Sequence, residues 1–231
     1  MKYLKEKLNK LISQSKFNKS LRKKLAHGEL EFIMVTLVHE RILKYDEYLK
    51  LKKEYEKRNR YLDIIKITSP RAFGETWAEE HILEILPELE STKGTEAKGE
   101  YDLVYRKGKK LVNLEVKAGR AIDHTKHNVP YHERALVNTD KKGLFDMNFQ
   151  QMKPTCFDAI IMIGVWADKI RYWFMTSKEI RNNKYFSVGQ HRGNKGYEGQ
   201  IHIKTENISD FKKYEVTPKE ILEKIKKLSS R

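Results

Sequence analysis

The chain has 231 residues, 39% hydrophobic and 34% charged, which predicts a soluble protein with one large domain, or with a catalytic domain and a smaller helical appendage. No apolar run approaches the roughly 18 residues of a membrane-spanning helix, and the charged N-terminus lacks a signal-peptide core. Cys156 is the one cysteine, so no disulfide can form within the chain. We therefore expect a cytoplasmic protein. The net charge of +15 favours nucleic acid over a membrane as partner, although solvated surface lysines would give the same charge.

Residues 1–70 predict a basic helical region. Leucines recur at helical spacing near the N-terminus, at Leu4, Leu8 and Leu11. The first 60 residues hold 17 Lys or Arg against 8 Asp or Glu, a net charge of +9. Ser69 and Pro70 then form a helix-start signal, which predicts that a new element begins there.

The next segment, FGETWAEEHILEILPELE, predicts a helix that is acidic inside a basic protein. Its apolar residues recur at helical period, at Ala78, Ile82, Ile85 and Leu86. Pro87 is expected to end or kink this helix, because proline lacks a main-chain N–H. Glu75 and Glu79 are four residues apart and therefore share one face.

The stretch from Lys98 to Ala118 predicts a β-hairpin with its turn at Gly108 and Lys109. If the turn has an even number of residues, the numbers of facing residues add up to 217. Asp102 then lies opposite Glu115, with their Cβ atoms about 5 Å apart.

The second strand of this hairpin has two unlike faces, because successive side chains alternate. The apolar face, which is expected to fill the core, holds Val112, Leu114 and Val116. The other face holds Asn113, Glu115 and Lys117. Carboxylates as close as those of Asp102 and Glu115 repel each other, and a hard divalent cation such as Mg²⁺ between them removes the repulsion. The alternative is an amphipathic hairpin whose carboxylates are solvated and paired with nearby lysines.

The rest of the chain predicts more strands and helices. Residues 120–140 have no clean period and indicate a long loop, and a short helix is expected over Phe145 to Met152. Two strands then follow, over Asp158–Val165 and Ile170–Met175; the first is nearly all apolar, as in a strand covered on both faces. A glycine-rich loop, a late strand IHIKT and a lysine-rich helix from Thr217-Pro218 complete the order. The predicted fold is α/β or α+β: a central mixed β-sheet of four or more strands flanked by helices.

Asp102, followed after twelve residues by Glu115-Val116-Lys117, resembles the catalytic signature of the PD-(D/E)XK nucleases, with Tyr101 in place of the usual proline. The resemblance covers about Phe73 to Met175, since a glutamate-bearing helix precedes the hairpin and a helix and a strand pair follow it. It implies a restriction-endonuclease-like domain over residues 71–231 with metal-dependent phosphodiesterase activity.

The resemblance also implies a role for each residue of the signature. The metal, Mg²⁺ or Mn²⁺ as its substitute, would be bound by Asp102, Glu115 and Val116. Lys117 would assist the attacking water or stabilise charge on the phosphate. Glu79 or Glu75 would support the site from the preceding helix, and their spacing in the sequence does not decide between them.

A chain of this size without an ATPase motif resembles most a type II restriction endonuclease, which acts on double-stranded DNA as a homodimer. Residues 1–70 are then expected to clamp DNA, to form the dimer contact, or both. The alternatives are a structure-specific or repair nuclease of the same fold, such as a junction resolvase, and a non-catalytic nucleic-acid-binding protein.

A second group of residues is of the types that read base edges and phosphates. Most of them lie in the glycine-rich loop, and the group consists of Arg120, Gln190, His191, Arg192, Asn194 and Lys195. For the loop, a purely structural hairpin connection is an equal alternative.

Overall fold

The structure is a computed structural model that describes residues 34, 37–38, 40–95, 100–140, 142–189 and 198–230. By its contacts the chain divides into two units, residues 1–57 and 58–231. Helix α1, Tyr45–Arg58, begins with two acidic residues, where the helix dipole favours negative charge, and none of its residues is buried. No helix among the described residues is long and apolar enough to cross a membrane.

The second unit alternates helices with two groups of strands. In chain order its elements are α2 (Leu62–Ile65), a π-helix (Ala72–Trp77), α3 (Ala78–Ile85), β1 (Leu89–Ser91), β2 (Leu103–Lys107), β3 (Lys110–Arg120), β4 (Asp146–Met152), β5 (Ala159–Val165), β6 (Ile170–Thr176), α4 (Ser177–Arg181), β7 (Phe186–Val188), β8 (Gly199–Lys204), a 3₁₀-helix (Ile208–Tyr214), β9 (Glu215–Val216) and α5 (Pro218–Leu228).

A six-stranded mixed sheet, in the order β1-β2-β3-β5-β6-β9, forms the centre of this unit. β3 and β5 are parallel, and the other neighbours are antiparallel. On one face, apolar side chains of α2, α3 and α5 pack against the sheet, among them Ile65, Ile82, Ile221 and Ile225. The predicted mixed α/β class with a central sheet is therefore confirmed.

The hairpin β2–β3 has the predicted register. Leu103 pairs with Leu114 and Lys107 with Lys110, so the numbers of facing residues add up to 217 along the whole ladder. Gly108 has φ +61° in the two-residue turn, a conformation that glycine adopts without strain.

The central strand β5 is buried along its whole length, as its apolar sequence predicted. The α3 helix ends at Ile85, before Pro87, as predicted. The C-terminal helix α5 also begins where expected: Thr217 accepts the N–H of Glu220 in a capping box, with Pro218 at the first helical position.

The helix predicted over Phe145 to Met152 is wrong, because this segment is strand β4. Phe145, Phe149 and Met152 have helical spacing only because a β-bulge between Phe149 and Met152, where Gln151 has φ +58°, interrupts the strand alternation. Consequently no helix lies between the hairpin and β5 in the described residues 121–140 and 142–158, contrary to what the family resemblance implied.

β4 belongs instead to a three-stranded antiparallel sheet in the order β4-β8-β7. Its inner face packs on the second face of the main sheet through Met147, Phe149, Ile201 and Ile203. β4 passes directly over β3, since a Cβ atom placed on Gly119 would lie 2.8 Å from the Cβ of Met147. Glycine at this position permits the close approach of the two strands.

Candidate active site

Asp102 lies immediately before β2, one residue beyond the pair Leu103–Leu114, so the ladder does not extend to the predicted pairing with Glu115. Its carboxylate oxygen Oδ2 accepts the main-chain N–H of Val116 at 2.8 Å. The N–H and C=O of one strand residue point to the same side of the strand. The carbonyl of Val116 is therefore directed to the edge of β3 where the Asp102 carboxylate lies.

Glu115 and Lys117 form an ion pair inside the protein. Glu115 Oε1 lies 2.5 Å from Lys117 Nζ, and the side chains are only 7% and 14% exposed. The alternative of a solvated Glu115 is therefore wrong. The pair lies on the same face of β3 as Gly119, the face over which β4 passes.

Burial and neighbouring charges shift the pKa values of both members of this ion pair. The pKa of Glu115 is raised to about 7: burial raises it most, Lys117 lowers it, and the charge of Asp102 raises it. Burial also lowers the pKa of Lys117, but Glu115 and Asp102 together outweigh burial and hold this pKa above its usual value. Lys117 therefore stays protonated at neutral pH.

The two helix glutamates have different environments. Glu79 is buried, and its Oε2 lies 3.1 Å from Lys93 Nζ. Burial raises the pKa of Glu79, Lys93 lowers it, and Asp102 raises it again. Glu75 is 41% exposed, pairs with Arg71 at 3.0 Å, and its charge acts on Lys117. Glu79 is thus the buried carboxylate that interacts with Asp102, and Glu75 is the half-exposed one that interacts with Lys117.

Glu75 lies in the π-helix Ala72–Trp77, an element that sequence periodicity does not reveal. Short π-helical turns within α-helices are rare and often occur at functional sites. Here the ring of Phe73 stacks on Trp77 at 5.4 Å, and Trp77 stacks on His81 at 5.1 Å, so aromatic contacts support the irregular turn.

A second ion pair beside the site was missed by sequence reasoning. Lys153, just after β4, lies 3.6 Å from the carboxylate of Glu198, just before β8, and its charge lowers the pKa of Glu115. Both residues flank the end of the pair β4–β8, so only the strand pairing brings them together.

Arg120 packs within the protein at the end of β3. Its guanidinium lies 3.6 Å from the ring centroid of Phe73 and 4.7 Å from that of Tyr131, and it donates a hydrogen bond to the carbonyl of Ile67. Burial lowers the pKa of Arg120 to about 10. These contacts join β3, which carries Glu115, to the segment before the π-helix. The predicted DNA contact of Arg120 stays a prediction.

The loop residues predicted to bind DNA lie outside the described residues: Gln190, His191, Arg192, Asn194 and Lys195. The predicted catalytic residues are all described, and the structure brings Asp102, Glu115, Lys117, Glu79 and Glu75 into electrostatic range of one another.

The arrangement fits a metal ion that keeps most of its water. Within the described part of the chain, no three His, Cys, Asp or Glu side chains converge as a metal site. Mg²⁺ is commonly held by one or two carboxylates, with water and substrate phosphate as further ligands. The carboxylates of Asp102 and Glu115 and the carbonyl of Val116 are oxygen donors of this kind.

No family model matches the chain. None of the curated proteins matches it significantly.

Proposed function

We propose that this chain is a Mg²⁺-dependent endonuclease that hydrolyses phosphodiester bonds of double-stranded DNA at a specific sequence, as type II restriction endonucleases do, and that it acts in the cytoplasm. The observation that carries the proposal is the buried pair of Glu115 and Lys117 next to Asp102. A protein that needed only stability would gain little from this pair, because burying two charges offsets most of their attraction.

Each residue of the site has a distinct task in the proposed reaction. Asp102, Glu115 and the carbonyl of Val116 would hold the metal, which would supply Lewis-acid activation of the attacking water and of the phosphate. Lys117 keeps its proton at Nζ, so it donates hydrogen bonds to the water or to a phosphate oxygen and stabilises negative charge there. Lys117 is therefore not the base that accepts the proton of the water.

The overall charge supports DNA as the substrate. The excess of positive charge is +15, and neutralised phosphates release counterions on binding. The log–log dependence of affinity on salt should therefore have a slope of about −0.9 for each neutralised phosphate.

Incubation of supercoiled plasmid with the protein and Mg²⁺ tests the function. Discrete bands support a sequence-specific endonuclease, whereas a smear, or cleavage confined to branched substrates, overturns the specificity. If no DNA is cleaved, the nuclease proposal is wrong and the alternative is a non-catalytic DNA-binding protein. An Asp102→Asn variant, purified in the same way, controls for contaminating nucleases.

A homodimer is the second part of the proposal. The part of the chain that the structure describes holds one candidate site, and the cutting of both strands of a palindrome needs two sites related by the two-fold axis of the DNA. Residues 1–70 are assigned to the dimer contact, to DNA clamping, or to both. Light scattering with and without duplex DNA tests this; a protein that stays monomeric and accumulates nicked circles contradicts it.

A further inference from the structure

The outward face of the small sheet carries several side-chain amides. Alternation puts Met147, Phe149, Ile201 and Ile203 on the inner face, so their neighbours point away from the core. The outward side chains are Asp146, Asn148, Gln150, Ser187, Gln200, His202 and Lys204. Three of these seven side chains are amides, and the charged ones are one Asp and one Lys.

Side-chain amides are concentrated at one end of this face. The chain has five glutamines, and three of them, Gln150, Gln151 and Gln200, surround the β-bulge of β4. Gln150 and Gln151 are exposed, and Gln200 pairs with Ser187 of β7. A bulge re-aims the side chains that it carries, and here it turns two amides toward solvent.

This amide-rich end is the end nearest the candidate active site. Met152 pairs with Gly199, and the next residues along, Lys153 and Glu198, form the ion pair whose lysine acts on Glu115. The outward face therefore extends from His202 through Gln200 to the edge of the candidate active site.

At the other end of this face, the polar side chains hold one another in place. The Oδ1 atom of Asp146 accepts a hydrogen bond from His202 Nδ1 at 2.6 Å, and its Oδ2 atom lies 3.2 Å from Lys204 Nζ. Asn148, opposite His202, has a buried Oδ1 atom without a hydrogen-bond partner in the described part of the chain. Asp146 therefore orients His202 and Lys204 on the outward face, whereas the Oδ1 atom of Asn148 lies beneath it.

We propose that this outward face, from Asn148 and His202 to the glutamines at the bulge, reads base edges in a groove of double-stranded DNA. Residues two apart on one strand are about 6.8 Å apart, about twice the rise of one base pair, so successive side chains meet every second base pair. Amides pair bidentately with adenine, and strands in a groove are a known mode of recognition. The assignment rests on the proposed function and names its specificity surface.

The test measures binding without cleavage. A library of random duplexes is selected on the protein in Ca²⁺, and the preference at each base pair is compared for wild type, Gln150→Ala, Gln200→Ala and the double variant. We expect the double variant to lose about tenfold of the preference at one or two positions. Its affinity for non-selected duplex and its salt slope should stay unchanged, since these depend on phosphate contacts.

The control is Asn182→Ala, which removes an exposed amide after helix α4 and should leave the preference intact. Gln150 is exposed and Gln200 half-buried, so melting curves are expected to be unchanged. An unchanged preference in the double variant overturns the inference, and so does a wild type that selects no sequence. If the wild type selects a sequence, the double variant loses that preference and neither protein cuts plasmid in Mg²⁺, the nuclease proposal fails and the assignment of this surface is supported.

Discussion

The neighbouring strands β3 and β5 are equally central but differ in chemistry. Val116 of β3 pairs with Ile161, whereas Glu115 and Lys117 pair with Ile160 and Met162, so an ion pair lies beside an all-apolar, buried strand. β5 shows what this position needs for stability alone. The difference teaches that a central position of this sheet can be filled by apolar residues, so the core alone does not require the charges of β3.

The largest expected effect comes from removing the carboxylates that distinguish β3. Glu115→Ala or Asp102→Ala should lower the rate of plasmid cleavage at least about 100-fold, because the site loses a metal ligand. Gel-shift affinity for duplex DNA should survive, since phosphate contacts come mostly from elsewhere. The matched control is Glu90→Ala, which removes a half-exposed carboxylate paired with Arg106. Full activity in Asp102→Ala and Glu115→Ala would contradict the catalytic assignment.

A second experiment makes β3 resemble β5. Lys117→Met should lower the free energy of unfolding by about 2 kcal/mol, because it leaves Glu115 buried without its cation. The double variant Glu115→Leu/Lys117→Met should recover that loss, since an apolar pair has no desolvation penalty, yet be inactive. Urea denaturation without metal measures the stability of both variants, and plasmid cleavage measures their activity. The exposed Lys107→Met is the control. A single variant as stable as wild type would show that the pair is not coupled.

The third expected effect is a dependence on pH that an apolar strand lacks. With a folded pKa of about 7, Glu115 is mostly protonated at pH 6, so Ca²⁺ should bind about tenfold more weakly there than at pH 8. Because the folded pKa exceeds the unfolded value, metal-free stability should also fall as pH rises from about 4.5 to 7. Calorimetry and melting at each pH measure these effects. Glu115→Gln should show neither the pH-dependent Ca²⁺ binding nor the pH-dependent stability. If it keeps either one, a group other than Glu115 takes up the proton.

The smallest effect is expected from a conservative change in β5. Ile161→Val removes one buried methylene and should lower the free energy of unfolding by about 1 kcal/mol. Cleavage should stay within twofold of wild type, because Ile161 faces the helices and not the Glu115 side of the sheet. A large loss of activity with a small loss of stability would mean that β5 also shapes the site.

The parts of the fold that local sequence determines were predicted well. The register of the hairpin follows from its short turn at Gly108, and the burial of β5 follows from its unbroken apolar run. The position of Lys117 beside Glu115 follows from strand alternation alone.

The parts that were missed depend on pairing between distant segments. β4 was predicted as a helix because its bulge at Gln151 gives its apolar residues a helical spacing. The partner of Lys153, Glu198, lies just before a distant strand, β8, and the hydrogen bond from Val116 to Asp102 depends on where the ladder ends. None of these features has a local sequence signal.

The parallel pairing of β3 with β5 has a consequence for the order of folding. β2 reaches β3 across a two-residue turn, but β5 joins β3 only after the chain from Arg120 to Ala159, including β4, has been closed into a loop. Such long-range closure is slow, so the hairpin can form first with Glu115 still hydrated. The carboxylate then loses its water at a late step, and substitutions at Glu115 should change the unfolding rate more than the folding rate.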